Sequence, residues 1–549
     1  MMPSVAESRH RTRGKNAILR FTFRRMIVGS IIFSFFAAIE SLSQSIAIVT
    51  AYPNAVQRAK VVYGLAGNNA FGIFYGNSHA DIVSPQGYMV YRILPILALI
   101  GAIWSLMFIT KMLRGQEETG RWELFIAGKY TAVSATIQTI IASTFGILLA
   151  FGITSLVIIL AGQNQKLMFS TSGSLYYSLA LMSGAFVGVS IGSLTSQLAS
   201  TRRKALFYGL DALIFLFILR SLGNVVNSLA WLKNLTPFGW IDKLQPFYHS
   251  RPLWFIPLLV LVLAGIALSV FISSKRDMLE SIIPEAGEVK PRYRLLNSEI
   301  AFSYKQSKLT MFAWLLSSVG FAAIVAAVDK TVAKSLSAGG GLNKVVYDVT
   351  GNPASRFDIV YLSSAGLFIL IFLLIMAAVG ISQTRNEEES NRTDNLFSGG
   401  VSRNKWLFAR IFTTMAFIVA TTLISDLAVW LLAEGQGIHL SMASLLLGGL
   451  NIIAPAVFLM GLGVLIYGIK PRLTAIFMYA IIVWSFTVDV LSSSLKNAKF
   501  LSKTSLFHYV SLVPAVKADW RTFALTCLIG LVLMLAGATI FNSRDLSSE

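Results

Sequence analysis

The stretch RGQEETGRWELFIAGK, residues 114–129, places a cluster of charges directly after an apolar run of the chain. A second stretch of the same kind, RNEEESNRTDNLFSGG, begins 271 positions later and spans residues 385–400. The charged positions that match between the copies are Arg114, Glu117, Glu118, Arg121 and Glu123 in the first, which also has Gly120, and Arg385, Glu388, Glu389, Arg392 and Asp394 in the second. We call these two stretches the repeated motif, because recurrence at a fixed offset indicates an internal repeat.

Two further segments recur at nearly the same offset. The segment STRRKALF around Arg202 corresponds to KPRLTAIF around Arg472, and FISSKRDM corresponds to FNSRDL near the end of the chain. The latter pair matches Arg276 with Arg544 at an offset of 268. These matches predict two tandem halves.

The composition indicates a membrane protein. The 549 residues are 55% hydrophobic and 13% charged, with a mean hydropathy of +0.67. A membrane-spanning helix needs about 20 apolar residues, and twelve runs meet this requirement. They are residues 26–50, 92–112, 133–161, 174–198, 205–223, 253–273, 309–329, 359–383, 406–433, 443–468, 474–494 and 522–541. We therefore predict an all-α polytopic fold with about 12 transmembrane helices in two tandem parallel six-helix repeats.

The predicted organisation places both termini in the cytoplasm. It comprises a basic N-terminus (1–25), a first six-span half (26–273), a cytoplasmic linker with an interfacial elbow helix (274–308) and a second half (309–549). Of the 46 Lys and Arg residues, 28 lie in segments predicted inside and 15 in segments predicted outside, which agrees with the positive-inside rule. The net charge of +20 therefore indicates topology and attraction to anionic lipid, and not nucleic-acid binding.

The repeated motif also has helical spacing. Arg114, Glu118 and Arg121 fall on one face of a helix, and Glu117 precedes Arg121 by four residues. A solvated helix held by its own ion pairs would explain one copy. Two copies at equivalent turns favour docking onto a soluble partner, with apolar anchors at Trp122, Leu124 and Phe125 or at Leu396 and Phe397.

The pattern Glu-Glu-x-Gly-Arg-x-Glu-Leu after the second span, with Gly-Val-Ser-Arg at residues 400–403, resembles the permeases of type-2 ABC exporters. In particular, it is similar to the twelve-span exporters of polyketide antibiotics and tetronasin-type ionophores. The resemblance implies a bacterial plasma-membrane permease for hydrophobic or amphipathic compounds, antibiotics or drugs among them. It also implies two separate ABC ATPase subunits, which bind ATP and Mg and receive the motif as coupling helices.

The sequence departs from the family pattern at Asn391, at Asp394-Asn395 and at Lys129-Tyr130-Thr131. The two docking surfaces are therefore expected to be unequal. No G-x-x-x-x-G-K-[ST] phosphate loop, H-E-x-x-H helix or G-x-S-x-G elbow occurs in the chain. We expect a transport subunit and not an enzyme, with no catalytic residues, no metal site and no cofactor bound directly.

Ionisable residues inside spans are costly, and so each is a functional candidate. Five candidate pathway residues follow from this rule: Glu40, Asp211, Arg220, Asp426 and Asp489. Those near span ends have an alternative explanation, because such side chains can snorkel to the interface. The alternative function is an ion-coupled secondary transporter with two six-span repeats, which the repeat alone also permits.

The predicted topology is testable by cysteine labelling in a Cys527→Ser background. Arg121→Cys should be protected from a membrane-impermeant thiol reagent in intact cells, because its loop is predicted to be cytoplasmic, whereas Asn68→Cys should react. Labelling at position 121 but not at position 68 would contradict the topology.

Overall fold

A computed structural model of the chain describes residues 16–66, 75–76, 81–126, 130–164, 167–277, 298–327, 329, 357–389, 392–494 and 501–544. The described residues form α-helices, short 3-10 stretches and loops, with no strand among them. Twelve of the helical segments are long and apolar enough to cross a membrane. The predicted all-α polytopic fold is therefore confirmed.

The chain divides into two compact units, Met1–Val289 and Lys290–Glu549. Ten helices are described in the first unit: α1 Ala17–Ala51, α2 Ala55–Ala66, α3 Pro85–Met112, α4 Arg114–Glu118, α5 Arg121–Ile126, α6 Ala132–Gly162, α7 Thr171–Leu198, α8 Arg202–Val225, α9 Pro237–Leu244 and α10 Phe255–Lys275. The six long helices in this set are candidate spans. The short helices α4 and α5 contain the first copy of the motif.

The second unit has eight described helices: α11 Glu299–Ala327, α12 Phe357–Glu389, α13 Arg392–Ser398, α14 Arg403–Gly435, α15 Met442–Ile452, α16 Ala454–Ile469, α17 Pro471–Ser494 and α18 Trp520–Ser543. Helices α15 and α16 together form one candidate span, so this half also has six. The segment predicted as an interfacial elbow continues into the seventh span without a break, because α11 runs from Glu299 to Ala327.

Local sequence determines where many of these helices begin. A Ser, Thr or Asp side chain accepts a hydrogen bond from a backbone N–H in the first turn of α3, α6, α7, α8, α14, α15 and α18. Such caps satisfy donors that have no partner within the helix. At α18, hydrogen bonds from Thr522 hold the pKa of the capping Asp519 carboxyl below its ordinary value.

In the first half, glycines bring α7 against α3. Gly184, Gly188 and Gly192 recur every four residues on α7. A Cβ at Gly184 would lie 2.1 Å from Ala98 O, and one at Gly188 would lie 2.0 Å from Ala102 O. Backbones that approach this closely gain dispersion contacts that larger side chains would prevent, which is a common basis of helix association in membranes.

The second half uses the same device between α16 and α18. A Cβ at Gly461 would lie 2.0 Å from Gly530 O, and one at Gly468 would lie 2.6 Å from Gly537 O. In both halves the fourth span is the most buried of its half. It packs against the sixth span in each half, while the first span packs against the third. The tandem parallel repeat remains a prediction. It requires equivalent spans to have the same neighbours in both halves, and these spans do.

The glycine contact on α7 can be tested by substitution. Gly188→Ala should lower the free energy of unfolding by about 1–3 kcal/mol, because the methyl group must displace the α3 backbone. Thermal unfolding of the purified protein would measure the change. Gly152→Ala is the matched control, since nothing lies within 4 Å of a Cβ there, and it should leave the melting temperature unchanged or slightly higher. Equal behaviour of the two variants would contradict the packing.

Candidate functional site

The first copy of the motif is divided between two short helices. Helix α4 ends at Glu118 and α5 begins at Arg121, because Gly120 between them has a φ of +67°, a conformation that favours glycine. The prediction that Arg114, Glu118 and Arg121 share one helix face is therefore wrong. The chain turns at the glycine before the second helix begins.

The Glu117 carboxylate is buried at 6% exposure. Its Oε2 atom lies 3.0 Å from NH1 of Arg114 and 2.8 Å from NH2 of Arg276, at the end of α10. Arg114 is itself 1% exposed and donates from Nε and NH2 to the carbonyl of Ser200 at 2.9 and 2.7 Å. This cluster joins the end of the second span to the loop after the fourth span and to the end of the sixth.

The second copy makes corresponding contacts. Oε1 of the buried Glu388 lies 2.5 Å from NH2 of Arg544, which directly follows the twelfth span. Oε2 of Glu388 accepts a hydrogen bond from the Tyr467 hydroxyl at 2.6 Å. Arg385 donates from NH1 to the carbonyl of Arg472 at 3.1 Å. The contacts of Arg544 and Arg472 join segments that the sequence matched to those of the first half, and Arg544 occupies the role of Arg276.

The second copy also has contacts of its own. Arg544 lies over the rings of Tyr467 and Phe541, at 5.6 and 5.7 Å from their centroids. Glu387, which has no charged counterpart at position 116, pairs with Arg410 of α14. Helix α12 continues through Glu389, whereas the first copy is already separated from its span at Leu113. The two copies are thus held differently.

Only part of the motif remains on the surface. Glu118, Arg121 and Glu123 are exposed in the first copy, although Glu118 Oε1 accepts a hydrogen bond from the backbone N–H of Arg202 at 3.0 Å. Trp122, predicted as a docking anchor, is 8% exposed and donates from Nε1 to the carbonyl of Met112 at 3.2 Å. It therefore anchors α5 to its own span.

Several predicted positions lack a description of their side chains: Leu124, Phe125, Glu389, Arg392, Asp394 and Asp489. Leu396 and Phe397 are half-buried against the core of the second half. Thr131 and Ser402, at an offset of 271, both cap the helix that follows the motif. The departure at Lys129-Tyr130-Thr131 therefore preserves the helix cap.

The candidate pathway residues occupy different environments. Glu40 is half-buried and Asp211 is exposed. Arg220 is fully buried and forms two hydrogen bonds with Asp242, at 2.7 and 3.0 Å. Asp426 is buried at 6% exposure, and its Oδ2 atom has no hydrogen-bond partner in the described part of the chain. Arg220 is therefore part of an ion pair, whereas Asp426 Oδ2 is buried without a described partner.

Sequence reasoning missed the partners of the charges and not the charges themselves. Arg276 and Arg544 were matched as equivalent positions, but not as partners of Glu117 and Glu388. The sequence feature that could have indicated these pairs is the nearly equal offset of the glutamates and the arginines. When two residues both recur in the second half, they can form the same contact in each half. Among the described residues, no three His, Cys, Asp or Glu side chains form a group that could hold a metal ion.

Comparison with protein families defines the class. The family model described as "Multidrug efflux system permease Rv1217c, C-terminal domain" matches residues 56–271 and 296–542. The match covers most of the chain, and the chain belongs to this family. It is therefore a multi-pass membrane permease of an efflux family. A search of curated proteins found no match.

The buried cluster predicts unequal effects of two neighbouring substitutions. Glu117→Ala should lower the free energy of unfolding by about 3–5 kcal/mol, because it leaves two buried arginines without their carboxylate. Glu123→Ala is the matched control on an exposed carboxylate and should change it by less than about 0.5 kcal/mol. Denaturant titration in detergent would measure both, and similar losses would contradict the buried role of Glu117.

Proposed function

We propose that the chain is the membrane-spanning permease subunit of an ATP-driven ABC exporter, with ATP hydrolysed by separate nucleotide-binding subunits. Its substrates are hydrophobic or amphipathic compounds, antibiotics and drugs among them. The observation that carries the proposal is the buried glutamate–arginine pair beneath each copy of the motif, Glu117 with Arg276 and Glu388 with Arg544.

These pairs suit a coupling element. A soluble motor must transmit force to membrane helices, and a flexible loop would absorb that force. In the first half the motif helix is joined to two other segments, since Glu117 pairs with Arg276 after α10 and Arg114 bonds to the carbonyl of Ser200 before α8. A displacement of α4 therefore acts on the ends of several spans together.

The exposed part of the motif supplies the docking surface. Arg121 and Glu123 lie on the surface beside the buried cluster, so a partner can contact them without breaking the pair at Glu117. The absence of a phosphate loop from the sequence supports ATP binding by a partner chain, with Mg bound there too. Two ATPase copies, one for each copy of the motif, fit the duplication.

Because Glu117 is buried, substitutions at this residue are a poor test of docking. Reversing both Glu117 and Glu118 to lysine would add a third positive charge to a buried cluster of two arginines, so a loss of transport could reflect misfolding. Reversal at Arg121 and Glu123 is a cleaner test because both side chains are exposed. The pair also conserves net charge when both residues are reversed.

We expect Arg121→Glu/Glu123→Lys to reduce both export and recovery of the ATPase subunit, while the amount of permease in the membrane stays unchanged. Affinity-purified permease from the native host would be analysed by mass spectrometry for chains that carry a phosphate loop. Arg521→Glu is the control, since Arg521 is exposed at the opposite end of its half. Undiminished recovery and export in the double variant would contradict docking at this surface.

Energy coupling distinguishes the proposal from an ion-coupled carrier. The purified chain alone should hydrolyse no ATP, and export into inverted vesicles should require both ATP and the ATPase subunit. Export driven by a proton gradient in vesicles that lack any ATPase subunit would overturn the proposal in favour of the secondary transporter.

A further inference from the structure

A small cavity in the second half is lined in part by the Asp426 carboxylate. Asp426 lies on α14, nine residues before its end, or about 14 Å along the helix axis. The cavity has a volume of about 20 Å³, which is room for about one water molecule or one compact polar group. Its wall is mainly apolar and includes Leu362, Ile369, Val429, Leu445 and Ile452.

Two of the nearby hydroxyl groups donate elsewhere, and that of Ser511, which also lines the cavity, accepts from the backbone N–H of Asp519 at 3.2 Å. Ser363 donates to the carbonyl of Ile359 at 2.7 Å and accepts from the backbone N–H of Ala515 at 3.1 Å. Thr422, one turn before Asp426, donates to the carbonyl of Ile418 at 2.9 Å. Asp426 Oδ2 has no hydrogen-bond partner among the residues that the structure describes. Within the described part of the chain, Oδ2 is thus left without a donor in mainly apolar surroundings.

The carboxylate is also held in position. A Cβ at Gly449 would lie only 1.8 Å from Asp426 Oδ2, so the carboxylate packs directly against the backbone of α15. Any other residue at position 449 would displace it. The corresponding position of the first half, 271 residues earlier, is Ser155, so the carboxylate is particular to the second half.

An unpaired buried charge is costly, and a bound cation offsets that cost. A divalent metal ion would need several oxygen ligands, and the described residues contain no group of three metal-binding side chains. An ammonium group needs fewer partners and has the size of the cavity. It would form a charge-assisted hydrogen bond with the carboxylate. Its carbon chain would lie outside the cavity, which has room only for the ammonium group.

We propose that Asp426 is the binding site for the protonated amino group of a lipophilic amine. The inference rests on the proposed export of hydrophobic or amphipathic compounds and names one class of them. It predicts selection by charge at a single carboxylate, in a permease whose apolar surfaces alone would discriminate weakly between compounds.

Binding can be measured on the full purified chain in nanodiscs of zwitterionic lipid, without an ATPase subunit. The probes are N-dansyl-1,10-diaminodecane and its N′-acetyl derivative, which differ mainly in the positive charge of the terminal nitrogen. Fluorescence polarisation should give a dissociation constant for the amine at least about tenfold lower than for the amide. Equal binding, or binding of neither probe, would overturn the proposal.

Variants assign the preference to one side chain. Asp426→Asn and Asp426→Ser, the latter copying position 155, should abolish the preference for the amine and leave binding of the amide unchanged. Glu434→Gln is the matched control on the same helix, because the half-buried Glu434 lies outside the cavity lining with His439 at 3.0 Å, and it should retain the preference. A preference that survives both changes at Asp426 would overturn the assignment.

A third measurement uses the unaltered chain, so it does not require any substituted chain to fold. A hydrophobic carbodiimide should modify Asp426 in the unaltered chain, as detected by peptide mass spectrometry, and the amine should slow this reaction whereas the amide should not. Equal protection by both probes would contradict the site. Because no ATPase is present, the outcome is independent of whether the chain associates with ATPase subunits.

Discussion

The remaining structure depends on one interaction, which occurs once in each half. It is the ion pair between a buried glutamate of the repeated motif and an arginine. Glu117 and Glu388 would each be expensive to bury alone, and each is neutralised by an arginine at the end of the last span of its half. The pair fixes the end of the second span relative to that of the sixth. It also explains why the charges of the first copy divide into a buried group and an exposed group.

The sequence predicted the spans well because hydrocarbon imposes a single requirement on them, a long apolar helix whose backbone bonds are internal. The sequence also predicted where the motif lies, because charges that follow an apolar run can be read directly from the order of the residues. It could not reveal which charges are buried. The turn at Gly120 depends on a local backbone angle, and the contact of Glu117 with Arg276 joins residues 159 positions apart.

The in-span charges show the same limit. Arg220 and Asp426 look alike in the sequence as single charges in apolar runs, yet Arg220 is paired with Asp242 and Asp426 has Oδ2 unpartnered among the described residues. A short helix after the fifth span provides Asp242, and no periodicity in the sequence predicts its position. Spacing therefore finds candidates, and only packing distinguishes a charge in an ion pair from one without a partner among the described residues.

The glycine contact between α3 and α7 has a mechanical consequence. At Gly184 and Gly188 the α7 backbone meets α3 carbonyl groups directly, so rotamer changes at these points cannot absorb a relative displacement. Ser105 adds a hydrogen bond across the same contact, to the carbonyl of Ala185 at 2.7 Å. The two helices should consequently move as one rigid body. A displacement at Arg114 should therefore produce an equal displacement at their far ends.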